Sequence, residues 1–554
     1  MTTTDERTEV VGAGVIPAGL AGALAAGAAL SIGELAAALA APRPGPVVAV
    51  ANRVVDNAPS WFVDFGKAVF GLADKPALVM GTAIISVLVA IGLGVASRRN
   101  LMPGIVGISV FGLIGLLAIG VDSQGGWAAA VPVSLAAIFA GVGALIILMG
   151  KARSLRATGH RTVVTVVAEG DVPGEGDGAR RPTFPIDSPV DPAVSRRSFL
   201  NAAGAIGATA AVATVGASVL RSRSSVNDAR DAVQLDSALT ATELETRISD
   251  AASSDVAITS GISPLIVDND DFYLIDTAIL TPQVDPAKWE LTIKGMVDNE
   301  VVYTYEELLD RANLVEPVTL SCVSNEIGGT LVGNAIWQGV ALTELLDEAG
   351  VDPAATQIAS RSVDGWSCGF PTEVAFDGRT SMVAIAMNDE PLPLRHGFPA
   401  RLVVSGLYGY VSATKWLSEI ELTTMEDFDG YWIPRGWSKL GPVKTQSRID
   451  TPRQGTSVRA GAEIPIAGVA WAPHRGIERV EIQIDDGPWL EADLGESLGE
   501  NAWCQWRRAW TTTPGRHLIR VRATDGTGET QTPDLASPAP SGATGWHEIS
   551  VTVT

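Results

Sequence analysis

Five long stretches with almost no charge occupy the first 221 residues of this chain and decide what that part can fold into. They cover residues 10–42, 76–97, 100–121, 123–150 and 198–220. Only the first contains an ionisable side chain, Glu34. A helix rises about 1.5 Å per residue, so about 20 apolar residues cross a hydrocarbon core of about 30 Å. Because these stretches lie almost end to end, we expect five membrane-spanning helices rather than buried helices of a soluble protein.

The positive charges give these helices an orientation, because cytoplasmic loops of membrane proteins are enriched in Lys and Arg. Arg98 and Arg99 follow the second stretch, and the segment 151–197 carries one lysine and seven arginines. Only one charge, Asp122, separates the third stretch from the fourth. We therefore expect the N-terminus and residues 151–197 in the cytoplasm, and everything after Leu220 on the extracytoplasmic side.

A six-residue motif, S-R-R-S-F-L, precedes the fifth stretch at residues 195–200. It resembles the twin-arginine export signal, which is also followed by a weakly hydrophobic run. A plain pair of anchoring arginines does not account for the full match. Such a signal implies a passenger that folds in the cytoplasm first, usually around a cofactor. Whether the signal is cleaved stays open, although we expect the fifth helix to be retained.

The chain changes character after residue 221. The first 221 residues contain 16 basic and 14 acidic side chains, whereas the remainder contains 24 basic and 48 acidic ones. A domain so acidic would be repelled by phosphate backbones, so we expect no nucleic-acid partner. Three cysteines in 554 residues are too few for a disulfide-stapled scaffold.

Local patterns predict several elements of the acidic part. The alternating segment from Trp289 ends at Gly295 like a strand, and Thr304 is placed to cap a short helix. Arg401 begins another alternating apolar run. Beyond Pro452, short alternating strands at close spacing are typical of an immunoglobulin-like sandwich.

The predicted organisation has five segments. Residues 222–262 are polar and contain no aromatic residue, which is typical of a linker. The full prediction is an all-α transmembrane region with four spans (1–150), a cytoplasmic loop with the export motif and a fifth span (151–221), the linker (222–262), an α+β domain (263–451) and an immunoglobulin-like β-sandwich (452–554).

Cys322 stands in the segment T-L-S-C-V-S-N-E-I-G-G, residues 319–329. A lone cysteine at the end of an apolar strand is more often part of the core than a ligand. Here Ser321, Ser324, Asn325 and two glycines surround it, which indicates a loop that approaches a ligand closely. A thiolate suits a soft or high-valent metal, and one protein ligand suffices if a cofactor supplies the rest.

From residue 266 onward the chain resembles the sulfite oxidase family of molybdenum enzymes. The matches stand in the family's order: C-x-x-N at 322–325, N-A-I-W-Q-G-V at 334–340, N-D-E-P-L-P-L-R-H-G-F-P-A-R-L-V-V at 388–404, K-W-L at 415–417, G-V-A-W at 468–471 and W-H at 546–547. Each match is weak alone, but their order and spacing together are specific. The resemblance implies a molybdopterin-binding α+β domain followed by an immunoglobulin-like dimerisation domain, and hence a homodimer.

The resemblance also implies the cofactor and the residues that bind it. The cofactor would be a single molybdopterin whose dithiolene holds molybdenum, with Cys322 as the protein's ligand to the metal and a catalytic residue. The implied cofactor contacts are Tyr273, Asp276, Thr277, Cys322, Asp364, His396, Arg401, Ala413, Thr414 and Lys415, partly through backbone groups. Cations suit the pterin phosphate. Without the resemblance, His396 could equally be a core histidine, and Arg401 and Lys415 part of a solvated face.

The sequence departs from the family where sulfite oxidases bind their anion. The two arginines that follow the family's C-x-x-N are Glu326 and Ile327 here. The arginine of the first cofactor loop is Ile275, and Trp437 takes the place of the tyrosine near the metal's oxo group. A carboxylate would repel sulfite, so we expect Glu326 and Trp437 to be catalytic-site residues that shape a different substrate pocket. Four cations downstream form either a replacement pocket or only cofactor and surface contacts, and we favour the second: Arg435, Lys439, Lys444 and Arg448.

These observations predict a membrane-anchored, extracytoplasmic molybdenum–molybdopterin oxidoreductase that transfers an oxygen atom to or from a small substrate, two electrons per turnover. The chain has no C-x-x-C-H motif and no histidine in a span, so we expect no haem in it. Electrons would pass to or from a separate carrier, cytochrome or quinone-linked, and the acidic surface favours a cationic one. Two alternatives stay open: a sulfoxide-type reductase of the same family, and a non-catalytic exported binding module. A transporter or sensor is poorly supported, because the spans lack polar faces.

Overall fold

The computed structural model describes residues 13–40, 44–59, 62, 65–66, 69–70, 74–122, 125–157, 192–223, 226–235 and 242–554. The chain divides into two compact units, Met1–Ser225 and Val226–Thr554. The first unit is helical and the second is rich in β-strands.

The helices of the first unit are α1 (Val15–Leu39), α2 (Pro46–Asn57), α3 (Asp74–Ala96), α4 (Met102–Val121), α5 (Trp127–Ala157) and α6 (Pro192–Arg223). All except the short α2 are long and apolar enough to be candidate membrane spans, by length and composition alone. These five helices match the five stretches of the sequence. The last two helices are longer than predicted, since α5 continues to Ala157 and α6 begins at Pro192. Both helices therefore extend beyond the apolar stretch into neighbouring polar residues.

The twin-arginine-like motif lies in the first turns of α6. Arg196 and Arg197 are exposed, whereas Phe199 is buried in a cluster with side chains of α1 and α5. The motif is therefore helical in this structure, and its role as an export signal stays a prediction.

Small residues let α1 and α3 approach closely. A β-carbon on Gly22 would lie 2.1 Å from the carbonyl oxygen of Ala90, and one on Gly94 would lie 2.3 Å from that of Ala18. Such backbone contact is typical of membrane helices, because lipid gives no hydrophobic drive for one apolar helix to pack on another. The Gly and Ala content that makes α1 only weakly hydrophobic is thus what permits this close contact.

The second unit begins with α7 (Asn227–Asp231) and α8 (Thr242–Ala252), both within the predicted linker 222–262. The ten strands that follow are β1 (Glu290–Gly295), β2 (Val301–Thr304), β3 (Leu314–Ser321), β4 (Val332–Ala341), β5 (Gln357–Ser362), β6 (Ser367–Pro371), β7 (Ser381–Met387), β8 (Glu390–Pro391), β9 (Arg401–Val404) and β10 (Leu417–Thr423). Short helices α9 (Tyr305–Arg311), α10 (Leu342–Ala349), α11 (Glu373–Phe376) and α12 (Gly409–Ser412) lie between them. The mixed composition agrees with the predicted α+β pattern.

These strands form two sheets around one core. The first has the order β2-β1-β10-β5-β6, and the second has the order β3-β4-β7-β8 with β9 beside β7. Trp337, Phe370 and Phe398 are among the fully buried side chains of the shared core. Thr304 caps α9 as predicted, because its hydroxyl accepts the N–H of Glu307 while the Glu307 carboxylate accepts the N–H of Thr304. This arrangement brings the ends of β3, β9 and the β5–β6 turn into one region.

The rest of the chain forms two further sheets that share a second core. The strands are β11 (Gln446–Thr451), β12 (Ser457–Val458), β13 (Glu463–Trp471), β14 (Ile477–Ile484), β15 (Leu490–Glu491), β16 (Asp493–Leu494), β17 (Cys504–Thr511), β18 (Gly515–Asp525) and β19 (His547–Val553). Their orders are β11-β13-β17-β16 and β12-β19-β18-β14-β15. Side chains of both sheets meet in one cluster around Trp506, Val480 and Ile519. We call this pair of sheets the C-terminal sandwich.

The close contact between α1 and α3 predicts that Gly22→Ala destabilises the first unit. The added methyl group would press on the backbone of Ala90, and overpacking of this kind costs about 1–3 kcal/mol. The matched control is Gly27→Ala on the same helix, because a β-carbon there meets nothing within 4 Å. Thermal unfolding of the full chain in detergent, followed by far-UV circular dichroism, should give a lower melting temperature for Gly22→Ala only. Equal melting temperatures for the two variants would contradict the contact.

Candidate functional site

Cys322 begins the loop that joins the antiparallel strands β3 and β4. We call residues 322–331 the cysteine loop. The Cys322 N–H donates to the Leu331 carbonyl at 2.9 Å, and the Leu331 N–H donates to Asn325 Oδ1 at 2.8 Å, so both ends of the loop are tied. The Ser324 N–H approaches Cys322 Sγ at 3.4 Å. A donor aimed at sulfur favours the thiolate, which is the form that binds a metal.

Arg401, at the start of β9, is a buried cation that pairs with no carboxylate among the described residues. Its side chain is 5% exposed, and its Nη1 donates to the His396 carbonyl at 3.2 Å while its Nε donates to the Leu402 carbonyl at 3.4 Å. The guanidinium carbon lies 4.9 Å from the ring centroid of Trp337. Burial lowers the pKa of Arg401 to about 10, so the group stays charged. Since buried charges normally have a partner, this position is suited to an anionic group of a ligand.

His396 is a buried neutral imidazole in the same region. Its Nε2 donates to the Asn269 carbonyl at 2.9 Å, and its ring meets the edge of Phe272 at 5.7 Å between centroids. Burial lowers the pKa of His396 to about 4, and the cations Arg401 and Lys415 act in the same direction. A bound anion would offset these cations and raise the pKa of the ring.

Lys415, Asp276 and Asp364 come together from three separate segments. Lys415 Nζ donates to Asp276 Oδ2 at 2.5 Å and to the Arg395 carbonyl at 3.1 Å. Asp364 lies in the β5–β6 turn. Burial has the largest effect on the pKa of its carboxyl and raises it; the charge of Asp276 raises this pKa further, and that of Lys415 lowers it. The sequence predicted all three as cofactor contacts, and the structure brings them into one cluster.

Thr414 presents its backbone rather than its side chain. Its hydroxyl lies 2.7 Å from Ser360 Oγ and 3.1 Å from Cys368 Sγ, inside the protein. Its carbonyl accepts the Leu402 N–H at 3.0 Å, whereas its own N–H donates to no described group. Ala413, half-buried, precedes it at the end of α12. The Ala413 N–H already donates to the Gly409 carbonyl at 3.0 Å, so the predicted contact by Ala413 and Thr414 would come from the Thr414 N–H.

Two tyrosines lie close enough to Cys322 to interact with its charge. Burial raises the pKa of Tyr273 well above its usual range, with Cys322 raising it further and Arg401 lowering it. The Tyr273 hydroxyl is thus close enough to both Cys322 and Arg401 for their charges to act on it. Burial also raises the pKa of Tyr408 to about 12, and Cys322 contributes in the same direction. Sequence reasoning missed Tyr408, whose only signal is its place in the glycine-flanked turn after β9.

Three predicted site residues make no hydrogen bond or ion pair with Cys322, Arg401 or Lys415 in the described part of the chain. Glu326 is exposed, and its carbonyl accepts the Gly329 N–H at 2.9 Å. Trp437 packs against Tyr410, with 5.8 Å between ring centroids. Thr277 is half-buried. Their roles at the site stay predictions.

The four downstream cations each have a partner. Lys439 pairs with Asp429 at 2.7 Å, and Arg448 pairs with Asp450 at 2.7 Å. Lys444 donates to the Gly542 carbonyl at 2.8 Å, and Arg435 stacks on the Tyr431 ring at 3.7 Å. Each of the four cations thus has a partner within the protein, and the expectation that they make only cofactor and surface contacts stays a prediction.

Comparison with known proteins gives the family of the second unit. The model of the family described as "Oxidoreductase molybdopterin binding domain" matches residues 278–432. YuiH of Bacillus subtilis, an uncharacterized oxidoreductase, is 32% identical over 170 residues, which cover 31% of this chain and 82% of YuiH. The mitochondrial sulfite oxidase of Rattus norvegicus is 27% identical over 325 residues, which cover 49% of this chain and 59% of that protein. The chain belongs to the sulfite oxidase family of molybdopterin-dependent oxidoreductases, and its cofactor is molybdenum–molybdopterin.

A second curated protein and one solved structure are also similar to the chain. The nitrate reductase [NAD(P)H] of Hordeum vulgare is 31% identical over 285 residues, covering 41% of this chain and 32% of that protein. Among solved structures, the sulfane dehydrogenase SoxCD of Paracoccus pantotrophus aligns at 23% identity with a TM-score of 0.46, covering 58% of this chain and 87% of that one. The chain thus spans little more than half of the mitochondrial sulfite oxidase and about a third of the nitrate reductase.

The residues in place fit this cofactor. The Arg401 guanidinium has no carboxylate partner among the described residues, which suits it to a phosphate. The thiol of Cys322 receives a backbone N–H, which suits it to a metal. Arg401, His396 and Lys415 would hold the pterin phosphate side, and Cys322 the metal.

The lone charge of Arg401 predicts two opposite effects of Arg401→Met. Stability of the cofactor-free protein should be unchanged or higher, because an uncompensated buried charge is removed. The affinity for the cofactor should fall by about tenfold to a hundredfold, because one hydrogen bond between charged groups contributes about 1.5–3 kcal/mol. Thermal unfolding of cofactor-free protein and molybdenum content of protein made with the cofactor test the two parts.

Arg475→Met is the matched control, because Arg475 pairs with the fully buried Asp525 at 2.9 Å. Its removal leaves the buried Asp525 carboxylate without a cation, although Thr445 and Thr527 still donate to it, and should cost about 3 kcal/mol of stability. If both variants lost similar stability, Arg401 would be an ordinary structural cation.

Because His396 is neutral in the folded protein, we predict that the cofactor-free protein loses stability at acid pH. The folded pKa of about 4 lies below the 6.5 of an exposed histidine, so the unfolded chain takes up a proton first. Stability should therefore fall as the pH drops from about 6.5 towards 4, by about 3 kcal/mol. Urea unfolding across this range should show a smaller fall in His396→Gln.

His517→Gln is the control with the opposite sign. The hydrogen bond to Asp485 raises the pKa of His517, so its contribution is present at low pH and is lost as the pH rises through the folded pKa. His517→Gln should therefore lose stability at acid pH. Identical pH profiles for wild type and His396→Gln would refute the assignment for His396.

Proposed function

We propose that this chain is a membrane-anchored, extracytoplasmic molybdopterin oxidoreductase that transfers an oxygen atom to or from a small substrate other than sulfite. The observation that carries the substrate part is the composition of the cysteine loop. Where the family's sulfite oxidases have two arginines, this loop has Glu326 and Ile327, and Glu326 is exposed. A carboxylate there opposes an anionic substrate, because like charges repel.

The roles of the protein's own groups follow from their positions. Cys322 gives its thiolate to the metal, and the Ser324 N–H steadies the sulfur. Arg401 neutralises the charge of the phosphate, and Lys415 adds a donor beside it. His396 already donates from Nε2 to the Asn269 carbonyl, so it becomes a second donor to the phosphate once the bound anion raises its pKa and the ring is protonated on Nδ1. The bound cofactor supplies the two-electron chemistry, in which water gives the oxygen atom and two protons and two electrons are released, or the reverse.

A neutral substrate is supported by the electrostatics around Cys322. Arg448 and Lys444 are engaged with a carboxylate or a carbonyl, and the two tyrosines near the sulfur are uncharged at neutral pH. A thioether, oxidised to its sulfoxide, fits this setting better than an anion. The reverse direction, reduction of a sulfoxide, is the second candidate, since a sulfoxide is also neutral.

Anchoring and export are supported by the five candidate spans and by the motif at residues 195–200. In this proposal residues 222–262 link the anchor to a catalytic domain, 263–451, and residues 452–554 are an immunoglobulin-like domain that forms the homodimer. A separate electron carrier, cytochrome or quinone-linked, completes the turnover. A binding module without a cofactor is less well supported, because Arg401 is buried and has no carboxylate partner among the described residues, which is unfavourable when no anion is bound.

The test is turnover by the full-length protein loaded with cofactor. Two assays are run in parallel: oxidation of sulfite or of a thioether with ferricyanide as acceptor, and reduction of dimethyl sulfoxide with reduced benzyl viologen as donor. We expect activity with one of the neutral substrates and none with sulfite. Efficient oxidation of sulfite by the wild type would contradict the proposal.

Glu326→Arg gives a sharper test of the same point. This variant replaces a repulsive charge by an attractive one. Each exposed charge near a site is worth about 1 kcal/mol, so the affinity for sulfite should rise by about tenfold or more, measured as a lower KM or as a lower Kd. Glu326→Gln should fall between the two. Asp534→Arg, which also changes an exposed acidic side chain but lies beyond β18, is the control for overall charge. An equal effect of both arginine variants would place Glu326 outside the substrate site.

A further inference from the structure

The outer half of the cysteine loop depends on contacts from outside the loop. Its inner half is closed by the bonds of Cys322, Asn325 and Leu331. In the described structure, residues 326–329 have one backbone bond of their own, from the Gly329 N–H to the Glu326 carbonyl at 2.9 Å. Gly328 has a φ of +73°, a conformation that favours glycine. A segment with so little internal bonding needs other parts of the protein to define its shape.

Arg448 of β11 supplies one such contact. Its Nη1 donates to the Gly329 carbonyl at 2.8 Å, its Nε pairs with Asp450 Oδ1 at 2.7 Å, and its Nη2 donates to Ser263 Oγ at 2.8 Å. The residue is 7% exposed. With its charge paired and three nitrogens in use, Arg448 is fixed in place and acts on the loop as a hydrogen-bond donor.

His547, the first residue of β19, supplies the second contact. Its Nδ1 accepts the Ile449 N–H at 2.9 Å, so the neutral ring carries its proton on Nε2. The Cδ2–Nε2 edge of the ring faces Gly328, where an added β-carbon would lie 2.4 Å from both atoms. Burial lowers the pKa of His547, which keeps the ring neutral and able to accept that bond.

We propose that Arg448 and His547 are positioning residues for Cys322: held in the two sheets of the C-terminal sandwich, they fix residues 326–329 and thereby the orientation of the sulfur. β11 belongs to one sheet and β19 to the other, and the Ile449–His547 bond joins them. The sandwich is then part of the active site and not only an assembly domain. The loop-fixing role stands without the cofactor; its effect on the metal rests on the proposed function.

The first experiment is a double-mutant cycle of Gly328→Ala and His547→Ala in the cofactor-free full-length protein. The readout is the rate of Cys322 alkylation by iodoacetamide, measured by mass spectrometry; Cys368 and Cys504 are buried and report global opening. Gly328→Ala alone should change the rate by about tenfold, since its methyl group overlaps the imidazole. In the His547→Ala background the same substitution should change it by about twofold or less, because the ring is gone.

Gly378→Ala is the matched control, since Gly378 also has a positive φ, +91°, but a β-carbon there meets nothing within 4 Å. It should leave Cys322 alkylation unchanged, which shows that strain at a glycine outside the loop does not expose the thiol; strain at position 328 itself is present in both His547 backgrounds and cancels in the cycle. An equal effect of Gly328→Ala in both backgrounds, or no effect in either, would overturn the role of His547.

The second experiment concerns Arg448 in protein loaded with cofactor. Arg448→Met combined with Asp450→Asn removes the donor without leaving a buried carboxylate alone. We expect an altered molybdenum EPR signal with molybdenum content close to wild type, and partial recovery of the signal in Arg448→Lys. An unchanged signal and an unchanged Cys322 alkylation rate would overturn the role of Arg448. If even the wild type held no molybdenum, the proposed function would fail, while the alkylation rates would still decide the positioning role.

Discussion

The charge of Arg401 is the constraint on which the rest of the site depends. The residue lies at the start of a buried strand and is 5% exposed. Its hydrogen bonds in the described structure go to carbonyl oxygens, and its guanidinium lies over the Trp337 ring. A folded chain that keeps such a cation must supply its counter-charge from elsewhere. The neighbouring groups are consistent with this, because His396 is held neutral and Lys415 is already paired with Asp276. An anionic partner would therefore complete the site, and we propose the cofactor's phosphate in that role.

The fold brings the parts of this site together from distant segments. Antiparallel pairing of β3 with β4 places Cys322 at the end of a rigid hairpin, while β9 and the turn between β5 and β6 deliver Arg401 and Asp364. The C-terminal sandwich contacts the cysteine loop through Arg448. A metal ligand on a loop gains precision when the loop is held at several points, and the packed sheets provide that support.

Sequence reasoning found what local patterns and family motifs encode. The Thr304 cap, the strand that ends at Gly295 and the five apolar helices follow from short-range chemistry, and the structure confirms them. The clustering of Lys415 with Asp276 and Asp364 could be anticipated only from the family motifs. The positions of Tyr408 near the sulfur and of Arg448 on the loop were not predicted. The direction of a side chain after a turn and the contact between separate sheets do not produce a periodic pattern in the sequence.

The central claim is that Cys322 is the protein's ligand to a molybdenum held by one molybdopterin. The most direct measurement is molybdenum content with X-ray absorption at the molybdenum edge, on full-length wild type, Cys322→Ser and Cys504→Ser. The account predicts close to one molybdenum per chain in wild type, loss of one sulfur neighbour in Cys322→Ser, and no change in Cys504→Ser, whose thiol is buried in β17. A wild-type protein without molybdenum, or an unchanged sulfur count in Cys322→Ser, would contradict it.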